Sequence, residues 1–187
     1  MWRSCMSQES RLFRGRSMSK KLSHFEDDLK VIDLLQQAYA SEIVAFYQYF
    51  VGMPGVPDEH GLKALLDKLY RDELCDHADK LARRITELGG NLVGVDTFEG
   101  VLRKTPCPYD RPVPPYDAAF VLQQNIHAEE CAIKFYNDAL SVLSGKDDVT
   151  FGLITDILAD EQTHLSELTE MSGLFLPRPD GRELRFR

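Results

Sequence analysis

The sequence predicts an all-α protein, a four-helix bundle of two antiparallel hairpins joined by one long crossover. Four stretches of about 25 residues carry apolar positions at helical spacing. The breaks inside each pair are short, whereas the middle break carries prolines at 106, 108, 112, 114 and 115. Helices of that length span roughly 37 Å at 1.5 Å per residue, and short turns make neighbours antiparallel.

The first helix is expected over 29–52, rich in Leu, Ala and Gln, with no Gly or Pro before Gly52. Pro54, Gly55 and Pro57 interrupt it. A second helix is expected over 61–88, closed by Gly89-Gly90. Within the proline-rich connection, DTFEGVLRK is long enough for a helix of two turns. The third helix is expected over 116–143. The turn SGKDD leads into a fourth over 147–172, where Gly173 is expected to stop it, and Pro177 and Pro179 keep the tail from resuming. No strand is predicted.

The 187 residues are 43% hydrophobic with net charge −8, which suits one domain and excludes wholesale disorder. No apolar run reaches the roughly 18 residues of a membrane span. The overall acidity argues against nucleic acid as the main ligand. Four cysteines are too sparse for a disulfide scaffold, and no signal-peptide core precedes the first helix, so a cytoplasmic location is expected.

Charge is unevenly placed. Residues 1–24 carry Arg3, Arg11, Arg14, Arg16, Lys20 and Lys21 against Glu9 alone. The expected organisation is a basic, unstructured tail over 1–24, a domain over 25–173 and a C-terminal tail over 174–187. Residues 1–17 are expected to be disordered or to reflect the choice of start site, with Met18 as the true start. A DNA-contacting arm and an organellar leader are the alternatives. His24, His60 and His127 fit no motif and are expected at surface or packing positions.

The two hairpins repeat each other. Glu42 to Tyr49 and Glu129 to Tyr136 both read E-x-x-A-x-x-x-Y, which places Glu, Ala and Tyr on one helix face. Helix two holds Asp72-Glu73 with His77, and helix four holds Asp160-Glu161 with His164. In an antiparallel hairpin, residues equidistant from the turn lie side by side. The midpoint of Glu42 and Glu73 falls beside Pro57, and that of Glu129 and Glu161 falls on Gly145. Both pairs therefore meet near mid-bundle, at most roughly 24 Å from the turns. A single E-x-x-H on an amphipathic helix is ordinarily a solvated face. Here both half-motifs recur in order at turn-symmetric positions, and buried carboxylates without cations would be prohibitively costly. Four Glu and two His at one level form a ligand set for two carboxylate-bridged metals, with iron or manganese the best matched.

These residues resemble the ferritin-like superfamily over about 25–173, and bacterioferritins in particular. Glu42-Ile-Val-Ala45 with Gln48-Tyr49-Phe50, His77-Ala78-Asp79 with Arg84-Ile85, and Asp160-Glu161 with His164 carry the likeness. The resemblance implies a di-iron ferroxidase centre. Glu42 and His77 would hold one iron, Glu129 and His164 the other, and Glu73 and Glu161 would bridge them. The family spacing in helix two is E-x-x-H, and this chain has one residue more between Glu73 and His77. Either a π-bulge absorbs that residue, or Asp76 or the i+4 geometry alters the ligand. Tyr49 and Tyr136 are expected as hydrogen-bond donors to the ligand carboxylates.

Chain length allows the connection to run back along the bundle and pass Cys107 close to Cys131, level with Glu129. A cysteine pair beside such a site resembles the Dps-like proteins called thioferritins, and would supply electrons or report redox state. The alternative is that Cys131 and Cys75 are small core residues and Cys107 a loop thiol. The resemblance implies a hollow dodecamer that oxidises Fe(II) with hydrogen peroxide or dioxygen and stores Fe(III) as mineral. A rubrerythrin-like or manganese-catalase-like peroxidase without storage, and a Dps-type DNA-binding protein using the N-terminal tail, are the alternatives.

Overall fold

The structure, a computed structural model, describes residues 9–94, 96–111 and 117–175, with side chains from residue 27 onward. Helix α1 runs Glu9–Gly52 and ends in a 3-10 turn, Met53–Gly55. Helix α2 is built of an α-helical Leu62–Arg71, a π-helical Asp72–Ala78 and an α-helical Asp79–Glu87. A short α3, Phe98–Lys104, lies in the crossover. Helices α4, Ala118–Leu143, and α5, Asp148–Phe175, complete the second hairpin. No strand occurs among the described residues.

Two expected helix ends differ from those found. Residues 9–24, expected as part of an unstructured tail, belong to α1. No proline occurs between 9 and 52, so nothing in the backbone chemistry forces a stop there. Likewise α5 passes through Gly173 to Phe175. A glycine lowers helix stability by about 1 kcal/mol but blocks no hydrogen bond, and a Cβ built there meets nothing within 4 Å. The expectations for residues 1–8 and 176–187 lie outside the described residues.

The stop at the end of α2 has a full chemical account. Gly89 sits at φ 79°, in the left-handed region that glycine enters without a Cβ clash. Its N–H donates to Thr86 O at 3.0 Å, and Gly90 N–H donates to Ile85 O at 2.8 Å. This pair of bonds satisfies carbonyls that the helix end would otherwise orphan.

The hairpins pack through two apolar clusters with a polar layer between them. One cluster gathers Leu35, Leu81, Ile85, Leu143, Ile154 and Ile157. The other gathers Leu62, Leu66, Leu69, Val121, Leu122 and Leu168. The crossover lies against α1, where Val101 packs on Ala40 and Val44. Gln48 fastens it: its Oε1 accepts from Asp110 N at 3.0 Å, while its Nε2 donates to Asn125 Oδ1 at 3.0 Å.

Asp147 ties α2 to α5. Its Oδ1 caps α5 by accepting from the N–H groups of Val149 and Thr150 at 3.1 and 3.0 Å. Its Oδ2 receives Arg84 Nη2 at 2.8 Å, and Arg84 Nε also reaches Thr150 Oγ1 at 2.9 Å. Burial raises the Asp147 carboxyl, but hydrogen bonds from Thr150 and the Arg84 guanidinium outweigh it and hold the group below its ordinary 3.8. A lowered value means that the stabilisation is present above that ordinary value and is lost as pH falls through the folded one. Asp147→Asn is therefore expected to cost about 1–2 kcal/mol at pH 7. Urea unfolding should show that gap narrowing below about pH 4.

Candidate metal centre

The polar layer between the two clusters is built from all four long helices. Glu42 comes from α1, Glu73 and His77 from α2, Glu129 from α4, and Glu161 and His164 from α5; none is more than 3% exposed. The structure brings all six sequence-predicted residues together. Ligand atoms of Glu42, Glu73, His77 and Glu161 lie within 4.8 Å of one another, and so do those of Glu73, Glu129, Glu161 and His164. Glu73 and Glu161 belong to both sets. His77 Nδ1 stands 3.3 Å from Glu42 Oε2, Glu73 Oε2 and Glu161 Oε1. His164 Nδ1 stands 3.0 Å from Glu161 Oε2 and 3.2 Å from Glu73 Oε1.

The π-helical segment explains how the longer spacing in α2 still delivers a histidine. Residues 72–78 wind with i→i+5 hydrogen bonds. The wider turn takes up the extra residue, so Glu73 and His77 at i, i+4 reach the same layer as Glu161 and His164 at i, i+3. Asp76 is turned away: its carboxylate pairs with Lys80 at 2.6 Å.

Each histidine turns Nδ1 inward and Nε2 outward. His77 Nε2 lies 3.3 Å from Asp160 Oδ2, and His164 Nε2 lies 3.5 Å from Asp72 Oδ2. An outer carboxylate of this kind holds the proton on Nε2 and leaves Nδ1 to act as a ligand. The sequence reading gave Asp72 and Asp160 no role. The signal was present, because an Asp precedes the Glu in both half-motifs. The tyrosines cross over: Tyr49 on α1 donates to Glu129 on α4, and Tyr136 on α4 donates to Glu42 on α1. Burial, with adjacent glutamates, pushes both phenols well above their ordinary value, so they remain protonated donors.

The electrostatics are those of four carboxyls and two imidazoles buried together. Burial and the charge of Glu161 push the carboxyls of Glu73 and Glu129 well above the ordinary range. Burial works against a charge on His77 and His164, yet hydrogen bonds to the surrounding carboxylates prevail and raise both imidazoles. Glu161 is likewise disfavoured as an anion by burial, but the two histidines draw it down to about 2. One oxygen of each shared carboxylate, Oε1 of Glu73 and Oε1 of Glu161, accepts no hydrogen bond. Each has a histidine Nδ1 as an ion-pair neighbour, at 3.2 Å for Glu73 and 3.3 Å for Glu161, and a buried carboxylate oxygen outside hydrogen-bond geometry suits a cation. Oxygen-rich donors with one imidazole per set match a pair of hard to borderline divalent metals.

Cys107 and Cys131 form a disulfide, with Cα atoms 5.8 Å apart, and it fastens the crossover to α4. Cys75 is a free and exposed thiol, so the alternative in which Cys131 and Cys75 are small core residues and Cys107 a loop thiol is not met.

Against this geometry, the profile of the ferritin-like domain matches residues 32–175. The chain belongs to the ferritin-like family. It is 30% identical over 139 residues to a bacterioferritin of Desulfovibrio desulfuricans, across 73% of this chain and 71% of that one. Among solved structures, a dodecameric thioferritin, the bacterioferritin-related protein of Bacteroides fragilis, superposes with TM-score 0.71 at 31% identity. That match covers 76% of this chain and 84% of the relative. The Desulfovibrio desulfuricans bacterioferritin, whose diiron site is known in different catalytic states, superposes with TM-score 0.65 at 25% identity, covering 80% and 82% of the two chains. No described helix of this ferritin-like chain is long and apolar enough to cross a membrane.

A metal must displace protons here, because a ligating imidazole is neutral at the coordinating nitrogen and both histidines are raised. Titrating the metal-free protein with Co(II) near pH 7 is expected to release up to about four protons per chain, from the two raised imidazoles and the raised carboxyls of Glu73 and Glu129, with affinity rising as pH rises. Calorimetry in buffers of different ionisation enthalpy measures this directly, and proton-neutral binding would contradict it.

Proposed function

We propose that this chain binds two Fe(II) ions as substrate and oxidises them, storing the Fe(III) inside a shell of its own copies. The observation that carries the reading is the pair of overlapping four-residue sets sharing Glu73 and Glu161. Glu42 with His77 would hold one ion, Glu129 with His164 the other, and the shared carboxylates would lie between them. The bacterioferritin relative with its diiron site supports the choice of iron. The dodecameric relative supports a closed oligomer.

Two Fe(II) supply two electrons. Hydrogen peroxide takes both, with two protons, and leaves as two waters; dioxygen would leave as hydrogen peroxide. The chain's own residues create the conditions for that transfer. Glu73 and Glu161 bring two cations close enough to act on one oxidant together, so no single-electron product need escape. Asp160 and Asp72 hold the imidazoles in the ligating tautomer. Tyr49 and Tyr136 each hold one oxygen, Oε1, of Glu129 and Glu42, and the second oxygen of Glu42 faces His77 Nδ1 at 3.3 Å. The space beside the carboxylates, walled by Val44, Ala128, Ala132 and Pro108, measures about 10 Å³. That is about the lower limit for one water, so a two-atom oxidant would enter only as the wall yields slightly and a bulky one would be excluded.

Two outcomes are expected. Anaerobic loading with two Fe(II) per chain, followed by hydrogen peroxide, should produce a fast rise in ferric absorbance. Glu161→Ala and His164→Ala should slow it on the order of 100-fold while helicity is retained. An unchanged rate would remove the mechanism. Replacing hydrogen peroxide by cumene hydroperoxide should slow oxidation by at least about tenfold if the narrow space controls access. Equal rates would show that the oxidant does not enter there. Light scattering on the purified protein separates storage in a closed shell from peroxide turnover by a dimer.

A further inference from the structure

The small space beside the carboxylates is lined by a hydroxyl with no role so far. Ser41 precedes Glu42 on α1, is 4% exposed, and borders that space together with Cys107, Pro108 and Ala128. A hydroxyl inside a helix finds its nearest acceptor in the carbonyl four residues back. Thr86, Ser141, Thr155, Thr163 and Thr169 all donate there. Ser41 does not, and its Oγ has no hydrogen-bond partner among the described residues.

The other donors around the space are engaged. Gln48 Nε2 donates to Gln124 O at 3.2 Å and to Asn125 Oδ1 at 3.0 Å. Cys107 N–H donates to Thr105 Oγ1 at 3.1 Å, its sulfur is in the disulfide, and Pro108 has no N–H. The remaining lining residues lie within the long helices, whose backbone N–H groups are taken by helix bonds. Glu42, Glu73, Glu129 and Glu161 accept only, once cations replace their protons. Among the described residues, the Ser41 O–H is therefore the donor left for a molecule in this space.

We infer that Ser41 holds and selects the oxidant. Its O–H donates to one oxygen of hydrogen peroxide, and its Oγ accepts from the peroxide O–H. Dioxygen has no O–H to give and little charge on its oxygens, so it gains far less from the same group. A site that hydrogen-bonds its substrate rejects an analogue lacking the matching group more strongly than shape alone can. As the O–O bond breaks, hydrogen peroxide takes two electrons from two Fe(II) and two protons from solvent, and leaves as two waters. Ser41 keeps its own proton and stabilises the charge gathering on the oxygen that faces it, as a donor already in place. This role rests on the proposed oxidation of Fe(II), and adds which oxidant the space favours.

The test compares the full chain with Ser41→Ala, which removes one oxygen and places the better helix former on α1. Loading with two Fe(II) per chain is measured first, without air. Nitric oxide, a two-atom probe, is then added and its N–O stretch read by infrared. The band of the parent chain should shift between ordinary and heavy water. In Ser41→Ala it should lie at higher wavenumber and ignore heavy water. Ser141→Ala, whose hydroxyl donates to Asn137 O, should leave the band where it was. Ser41→Ala should also slow peroxide-driven ferric formation about tenfold, roughly what one hydrogen bond contributes, and slow the dioxygen-driven reaction less than about twofold. A band unmoved by Ser41→Ala, or equal losses with the two oxidants, overturns the role. A rise in both rates would make Ser41 mere wall and overturn it too. Protein that takes up no Fe(II) removes the metal centre and this role with it. Iron bound but never oxidised removes the oxidation alone, and the nitric oxide band still decides whether Ser41 donates into the space.

Discussion

Four carboxylates buried in one layer are the constraint on which the rest of this molecule depends. Each buried charge without compensation would cost several kcal/mol, more than a domain of this size can spare from a net stability of roughly 5–15 kcal/mol. The fold meets the demand in two ways: burial holds the carboxyls of Glu73 and Glu129 well above the ordinary range, and the raised imidazoles of His77 and His164 face the layer with Nδ1. The apolar clusters on either side then have to be good enough to hold an arrangement whose own balance is near zero. Leucines 35, 62, 66, 69 and 81, all fully buried, meet that requirement.

The polar contacts of the layer join the two hairpins. Tyr49 to Glu129 and Tyr136 to Glu42 link α1 with α4. His77 to Asp160 and His164 to Asp72 link α2 with α5. None of these pairs lies within one hairpin. The site is therefore also the clasp between the two halves, and occupancy by a cation would strengthen that clasp by binding the folded form alone. The π-helical turn at 72–78 breaks the symmetry between halves but preserves its outcome. Relative to the i, i+3 pair of α5, one extra residue is absorbed in backbone winding, and the imidazole arrives at the same layer.

Much of this was legible in one dimension because straight helices convert spacing into position. Glu42, Glu73, Glu129 and Glu161 could be placed at one height from turn midpoints alone, and their tyrosines and histidines from helix periodicity. What resisted reading had a different physical character. The start of α1 and the passage of α5 through Gly173 depend on small propensity differences that no single residue decides. Asp72 and Asp160 act across the bundle, on the partner hairpin's histidine, so the Asp-Glu pattern that marks them does not say what they touch.

The crossover is where length, proline content and chemistry meet. A connection that must return along the full bundle has to pass the mid-bundle layer, and a proline-rich chain can do so without competing for helix hydrogen bonds. Three attachments hold it there. Val101 packs against Ala40 and Val44, Gln48 accepts from Asp110 N, and the disulfide joins Cys107 to Cys131. Two of these are non-covalent, and the third is a covalent bond that thiols can open. The wall of the carboxylate layer is thereby fixed in part by a redox-sensitive link whose inner sulfur faces that layer. The disulfide therefore fixes the crossover at the level of Glu129, with Cys107 in the wall of the space beside the four carboxylates.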